Sequence, residues 1–188
     1  MRRSSLVVLR HAETAWSVER KHTGRTDIPL TDAGRAAASA VAPALRDREF
    51  ALVLSSPLQR ATETARLAGL EAEEEPALVE WDYGAYEGRR TTEIREERPD
   101  WFLWRDGVPD GESPQDVAAR ADAVIERVLD VEGDVAVVAH GHLLRMLAAR
   151  WLEQPPDFGA RLPLEPAHLG ELGFERETRA LLRWNLSG

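Results

Sequence analysis

Two short apolar runs in this sequence end in histidine. Residues 6–9 run into Arg10-His11, and residues 135–139 run into His140-Gly141-His142. A third run, residues 51–54, leads into Ser55-Ser56-Pro57 and a helical pattern whose first turn carries Arg60. In a parallel sheet, side chains at the carboxyl ends of neighbouring strands face one crevice, so His11, His140 and Arg60 are expected to converge. One histidine at a strand end is ordinarily a capping or hydrogen-bonded core residue. Two such ends, with Arg10 and Arg60 beside them, describe a pocket of several donors and fixed positive charge, which suits an anion such as phosphate better than a carbonyl. The helix starts after Pro57 and Gly141 are expected to add backbone donors to that pocket.

The elements that must hold these residues follow from the same pattern. The three runs are too short for helices and rich in branched residues, so they read as strands buried on both faces. Between them lie helical segments. Residues 31–46 open with Thr31-Asp32 as caps, and residues 57–68 place Pro57 just inside a helix, where its missing N–H costs nothing. Residues 113–130 form the longest, with Val117, Ala121, Val124, Ile125 and Val128 at helical spacing on one face. Residues 169–174 and 180–186 flank Arg176-Glu177-Thr178 as a closing β-hairpin. Strands alternating with helices predict an α/β fold. Residues 81–112 break the rhythm, being dense in Gly, Arg, Glu and aromatics, with Trp81, Trp101 and Trp104 among them. This stretch reads as an insertion over the sheet, either cover for the core or a substrate-shaping lid.

Composition narrows the chemistry. The 188 residues carry 24 Lys+Arg against 33 Asp+Glu, a net charge of −9, and read as one domain over 1–188. With 43% hydrophobic residues the chain has the apolar material of a folded domain. The absence of cysteine excludes a disulfide framework, a zinc ribbon, an iron–sulfur cluster and a thiol nucleophile. The acidic balance argues against a nucleic-acid partner. Met1-Arg2-Arg3-Ser4-Ser5 is followed by only a short apolar run before Arg10, less than the roughly 7–15 residues of a secretory core. No stretch approaches the ~18 apolar residues of a membrane span. A cytoplasmic protein with no membrane partner is expected, as a monomer or a homodimer.

The motifs resemble the histidine phosphatase superfamily, in the branch that holds cofactor-dependent phosphoglycerate mutases and many small phosphatases. Arg10-His11-Ala12-Glu13-Thr14 is similar to its amino-terminal signature, and Thr23-Gly24-Arg25-Thr26-Asp27 to the segment that follows. Ser55-Ser56-Pro57-Leu58-Gln59-Arg60 resembles its second arginine motif, Glu80-Trp81-Asp82-Tyr83-Gly84 its acid motif, and Val138-Ala139-His140-Gly141 its second histidine. The resemblance implies a three-layer α/β/α sandwich with a mostly parallel central sheet, phosphoglycerate mutase-like. It makes His11 the nucleophile that forms a phosphohistidine, Arg10, Arg60 and His140 the holders of the non-bridging oxygens, and Glu80 the proton donor to the leaving alcohol. Ser17, Thr23, Gly24, Tyr83 and Gly141 become substrate-binding residues, Gly141 through close approach of its N–H. No cofactor and no metal are implied, and the partner is a small phosphorylated substrate.

Two positions depart from the family pattern. Ala12 stands where glycine is usual, and Ser17 where many mutases have asparagine. The mutases also extend beyond the final strand, whereas this sequence ends at Gly188, which favours a hydrolase over a mutase. Trp101-Phe102-Leu103-Trp104 resembles a subgroup of acid phosphatases and sugar bisphosphatases. Those aromatics form either a wall for an apolar or aryl leaving group or pins between the insertion and the core. Residues 81–112 hold five arginines against nine acidic residues, a poor balance for receiving a second phosphate. The expectation is a metal-independent phosphomonoesterase of acid phosphatase type. Its alternatives are a phosphoglycerate mutase, a sugar bisphosphatase or a non-catalytic phospho-ligand binding module. A metal hydrolase built on His140 and His142 is disfavoured, because Gly141 is expected to end the strand and so takes His142 off the face that His140 occupies. His22 and His142 are expected to pack or cap.

Overall fold

Alternation along the first strand sets the architecture. In β1 (Leu6–Arg10), Leu6 and Val8 enter one apolar core while Val7 and Leu9 enter another, so both faces of the strand are covered. A computed structural model describes residues 5–188; Met1-Arg2-Arg3-Ser4 of the amino-terminal stretch lies outside the described residues. After β1 come α1 (Ala15–Val18), α2 (Asp32–Leu45), β2 (Leu52–Ser55), α3 (Gln59–Leu67) and the two-residue β3 (Glu73–Glu74). There follow α4 (Thr91–Glu97), α5 (Leu103–Asp106), α6 (Pro114–Leu129), β4 (Val135–Ala139), α7 (Gly141–Trp151), β5 (His168–Glu175) and β6 (Thr178–Ser187).

The six strands form one sheet in the order β3-β2-β4-β1-β5-β6. β3, β2, β4 and β1 pair in parallel, and the expected hairpin of β5 and β6 adds antiparallel at β1. Val117, Val124 and Val128 of α6 join Leu143 and Leu147 of α7 on one face. On the other, Ala38, Val41 and Leu45 of α2 meet Ala61 and Ala65 of α3. This is the expected three-layer α/β/α fold with a mostly parallel sheet.

The caps match the chemistry of their residues. Thr31 Oγ1 accepts from Gly34 N at 2.9 Å, and Ser113 forms a capping box with Asp116. Pro57 does not: α3 begins at Gln59, and Pro57 lies outside it. The Ser56 N–H donates to Val138 O at 2.9 Å, which prolongs the pairing of β2 past its last residue, and the chain then bends at Pro57 and Leu58 before α3 starts. Residues 81–112 lie on the α6/α7 face, where Trp81, Tyr86, Ile94, Trp101 and Trp104 join that core. Among the described residues no helix is long and apolar enough to cross a membrane.

Candidate active site

Sheet register brings the two strand-end histidines together. Arg10 pairs with Ala139, and the next N–H, that of His11, donates to Ala139 O at 2.8 Å. His11 and His140 therefore leave the sheet side by side, with ring centroids 5.1 Å apart. On the other side of β4, Ser56 Oγ lies 2.7 Å from His140 Nε2. Arg60 Nε donates to His140 Nδ1 at 3.2 Å, so the Nε2 hydrogen of a neutral His140 donates to Ser56. Burial, followed by the charge of Arg60, holds His140 well below the usual histidine range, in keeping with that neutral form.

His11 is fixed by the loop that follows it. Its Nδ1–H donates to Ala12 O at 2.8 Å, which leaves Nε2 with its lone pair. The Ala12 N–H donates to Thr64 Oγ1 at 3.0 Å, and the Thr64 hydroxyl donates to Arg60 O at 2.6 Å, tying the loop to α3. Burial, then Arg60 and Arg10, push His11 well below the usual histidine range. Ala12 is buried within the α2/α3 core and is not among the left-handed residues, so its methyl group fits where the family usually has glycine.

Beside His11 lies a cavity of about 420 Å³. Of the residues expected there, Arg10, His11, Ser17, Thr23, Glu80, Tyr83 and Gly141 line it. Arg60, His140 and Gly24 do not. Arg60 is fully buried behind the histidines, and its guanidinium donates to the carbonyls of Thr26 at 2.9 Å, Thr23 at 3.2 Å and Gly24 at 2.8 Å. The Gly24 N–H is taken by the Glu87 carboxylate at 2.9 and 3.0 Å, so Gly24 braces Arg60 and Glu87 instead of facing the cavity. Arg10 donates through Nη1 to Leu164 O at 2.5 Å, while its buried Nε has no partner among the described residues. Leaving such a donor unpaired costs about 1–3 kcal/mol. Gly141 makes room for this arginine: a β-carbon there would lie 3.2 Å from Arg10 Cζ and Nε.

The helix-start donors serve protein carboxylates, contrary to the expectation that they serve the pocket. Glu80 Oε1 accepts from Trp81 N and Leu143 N at 2.9 Å each, and Oε2 accepts from His142 N at 3.0 Å. At the start of α3, Gln59 N donates to Asp27 Oδ1 at 2.9 Å. Acidic side chains satisfy these amides and the helix dipoles within the protein. Burial raises Glu80 above the usual carboxylate range, against the opposing pull of its three backbone donors and Arg60. The Ser17 hydroxyl donates to Thr14 O at 2.8 Å, and that of Thr23 to Lys21 O at 3.1 Å. Tyr83 Oη lies 2.5 Å from His142 Nδ1.

Several lining residues escape the sequence motifs. Arg20, Lys21, His22, Thr91, His142, Arg145 and Glu165 also face the cavity. His142 and Arg145 sit three apart on α7, so helical spacing from His142 was a usable signal for Arg145. Glu165 and Arg20 lie in connecting segments with no such periodicity. His22 and His142 pack as expected, with ring centroids 6.1 Å apart, yet both also line the cavity. The aromatics of residues 101–104 do not: Trp101 donates from Nε1 to Gly107 O at 2.9 Å, and Trp104 stands edge-on to Trp81 at 5.6 Å. Trp101 and Trp104 pin the segment to the core and Phe102 is exposed, so the wall for an aryl group is absent. The cavity's cations come from outside residues 81–112.

The family model of the histidine phosphatase superfamily (branch 1) matches residues 6–187. An acid phosphatase of Mycobacterium tuberculosis is 42% identical over 193 aligned residues, which cover 100% of this chain and 95% of that protein. The solved structure of an open reading frame from the same organism superposes with a TM-score of 0.96 at 41% identity, covering 99% of each chain. A mycobacterial glucosyl-3-phosphoglycerate phosphatase, solved with VO3, gives a TM-score of 0.87 at 30% identity over 98% of this chain and 100% of its own.

Proposed function

The chain belongs to the histidine phosphatase superfamily, branch 1, and on that premise we propose that it hydrolyses phosphomonoesters of small metabolites through a phosphohistidine at His11. One observation carries this reading: a neutral His11, its Nδ1–H held by Ala12 O, keeps an unprotonated Nε2 at a cavity that Arg10 also lines. Nε2 attacks phosphorus as the bond to the ester oxygen breaks, and Glu80 gives that oxygen its proton. Water then attacks the phosphohistidine, returning a proton to Glu80 and releasing phosphate and free His11. Arg10 binds the non-bridging oxygens. Arg60 and His140 act from behind, as fixed charge and as a brace for the nucleophile's neighbourhood.

Residues 81–112 serve as the cover on the leaving-group side, to which they contribute Tyr83 and Thr91. The cavity volume suits a small ester. The 42% identity to an acid phosphatase over nearly the whole of both chains supports hydrolysis over return of the phosphoryl group to a bound acceptor. The test is phenyl phosphate hydrolysis in excess chelator by wild type and His11→Ala, with glycerate-phosphate isomerisation on the same samples. Hydrolysis lost in the variant, with negligible isomerisation, is expected. Efficient isomerisation would make the protein a mutase, and silence toward a panel of phosphomonoesters would make it a binding module.

A further inference from the structure

The second residue of α7, His142, is held on every side yet keeps one nitrogen free. Its ring stands edge-on to Trp104 at 5.5 Å, to Tyr83 at 5.9 Å and to Trp81 at 6.4 Å, with His22 at 6.1 Å. Its backbone N–H donates to Glu80 Oε2, so the imidazole departs from the residue that touches the acid of the proposed reaction. The hydroxyl of Tyr83 has His142 Nδ1 as its hydrogen-bond partner at 2.5 Å. The hydroxyl has no other acceptor among the described residues, so its hydrogen goes to Nδ1, which accepts. The neutral ring then carries its hydrogen on Nε2. That atom has no protein partner among the described residues and is not a buried orphan, so it opens on the cavity that His142 lines.

We propose that His142 determines substrate specificity by donating its Nε2–H to an oxygen on the leaving group, with Tyr83 as the positioning residue that fixes the donating tautomer. The favoured substrates are phosphate esters of polyhydroxy or hydroxy-acid alcohols, which carry an acceptor oxygen near the ester carbon; phenyl phosphate offers none. Arg145, on the same face of α7, lines the cavity beside it, with its guanidinium anchored on Gly159 O at 3.0 Å and Ala160 O at 3.1 Å. A cation there strengthens the field for an electron-rich oxygen at His142. The inference rests on the phosphatase reading for its kinetics, and on geometry alone for the tautomer.

Two measurements test it. In the ligand-free protein, ¹⁵N NMR of the imidazoles should give His142 a protonated Nε2 and an unprotonated Nδ1, and Tyr83→Phe should mix the tautomers. The reverse tautomer in wild type overturns the proposal whatever the activity. In kinetics, His142→Phe keeps the aromatic packing and removes the donor. The ratio of kcat/KM for glycerol 2-phosphate to that for phenyl phosphate should fall about tenfold, the effect of one lost hydrogen bond. His142→Gln, which retains a donor, should recover part of it, and Tyr83→Phe should lower the ratio less than His142→Phe. An unchanged ratio in His142→Phe overturns the proposal, whereas failure of wild type to hydrolyse either ester rejects the phosphatase reading instead and leaves the tautomer result to decide the hydrogen-bond geometry.

Discussion

His11 and His140 stand one residue beyond a single register pair, Arg10 with Ala139, and that pairing holds their rings 5.1 Å apart. Two protonated imidazoles this close to Arg10 and Arg60 would repel strongly, so the arrangement favours a neutral pair. A nucleophile needs its lone pair, and this geometry supplies one at His11 without a separate base.

The same logic fixes the pH profile. The proposed reaction requires His11 unprotonated and Glu80 protonated. His11 is depressed, so activity is lost only when pH falls through its lowered value; Glu80 is raised, so activity declines as pH rises through it. The optimum is expected on the acidic side, and Glu80→Gln should flatten the alkaline limb while slowing alkyl esters more than aryl esters. A pH–rate profile for phenyl phosphate and glycerol 2-phosphate checks this, and an unchanged alkaline limb in the variant would remove Glu80 from the role of acid.

Arg60 should matter to stability as much as to turnover. Arg60→Ala strands the carbonyls of Thr23, Gly24 and Thr26, which the guanidinium now satisfies from a fully buried position. Each unsatisfied buried group costs about 1–3 kcal/mol, so a loss of about 3 kcal/mol or more is expected in urea unfolding. A loss under about 1 kcal/mol would show that water replaces the side chain.

Gly141→Ala offers a gentler probe of Arg10. The added methyl group would lie 3.2 Å from Arg10 Cζ and Nε, and the guanidinium must shift by a few tenths of an ångström. Phosphate affinity is expected to weaken about three- to tenfold, with unfolding free energy changed by less than about 1 kcal/mol. Equal inhibition of wild type and variant by inorganic phosphate would show that Arg10 does not hold the anion.

Ligand-linked stability tests the role of Arg10 directly. Phosphate or vanadate at about 100 times its Kd should stabilise the folded protein by about 2.7 kcal/mol and raise Tm. Arg10→Ala should lose most of that shift while remaining folded, because its guanidinium gives up a single hydrogen bond among the described residues, the one to Leu164 O. A full shift in the variant would place the anion elsewhere.

The strands, the main helices and the convergence of His11 with His140 were legible because they depend on local pattern. Branched runs of four or five residues make buried parallel strands, and parallel strands deliver their carboxyl ends to one edge. Thr31 announced its helix through a side chain that reaches the third backbone N–H. What the sequence left undetermined is which partner each polar group meets when several are within reach. The His142 and Leu143 amides at the start of α7 go to Glu80, about sixty residues away in the chain, and not to the cavity. Arg60 turns from the cavity to three carbonyls of the 23–26 segment, and the Tyr83 hydroxyl finds His142. Local geometry repeats along a chain and can be read from spacing, whereas burial forces each donor and acceptor to be satisfied by whatever the packing brings near, and only the tertiary structure decides that.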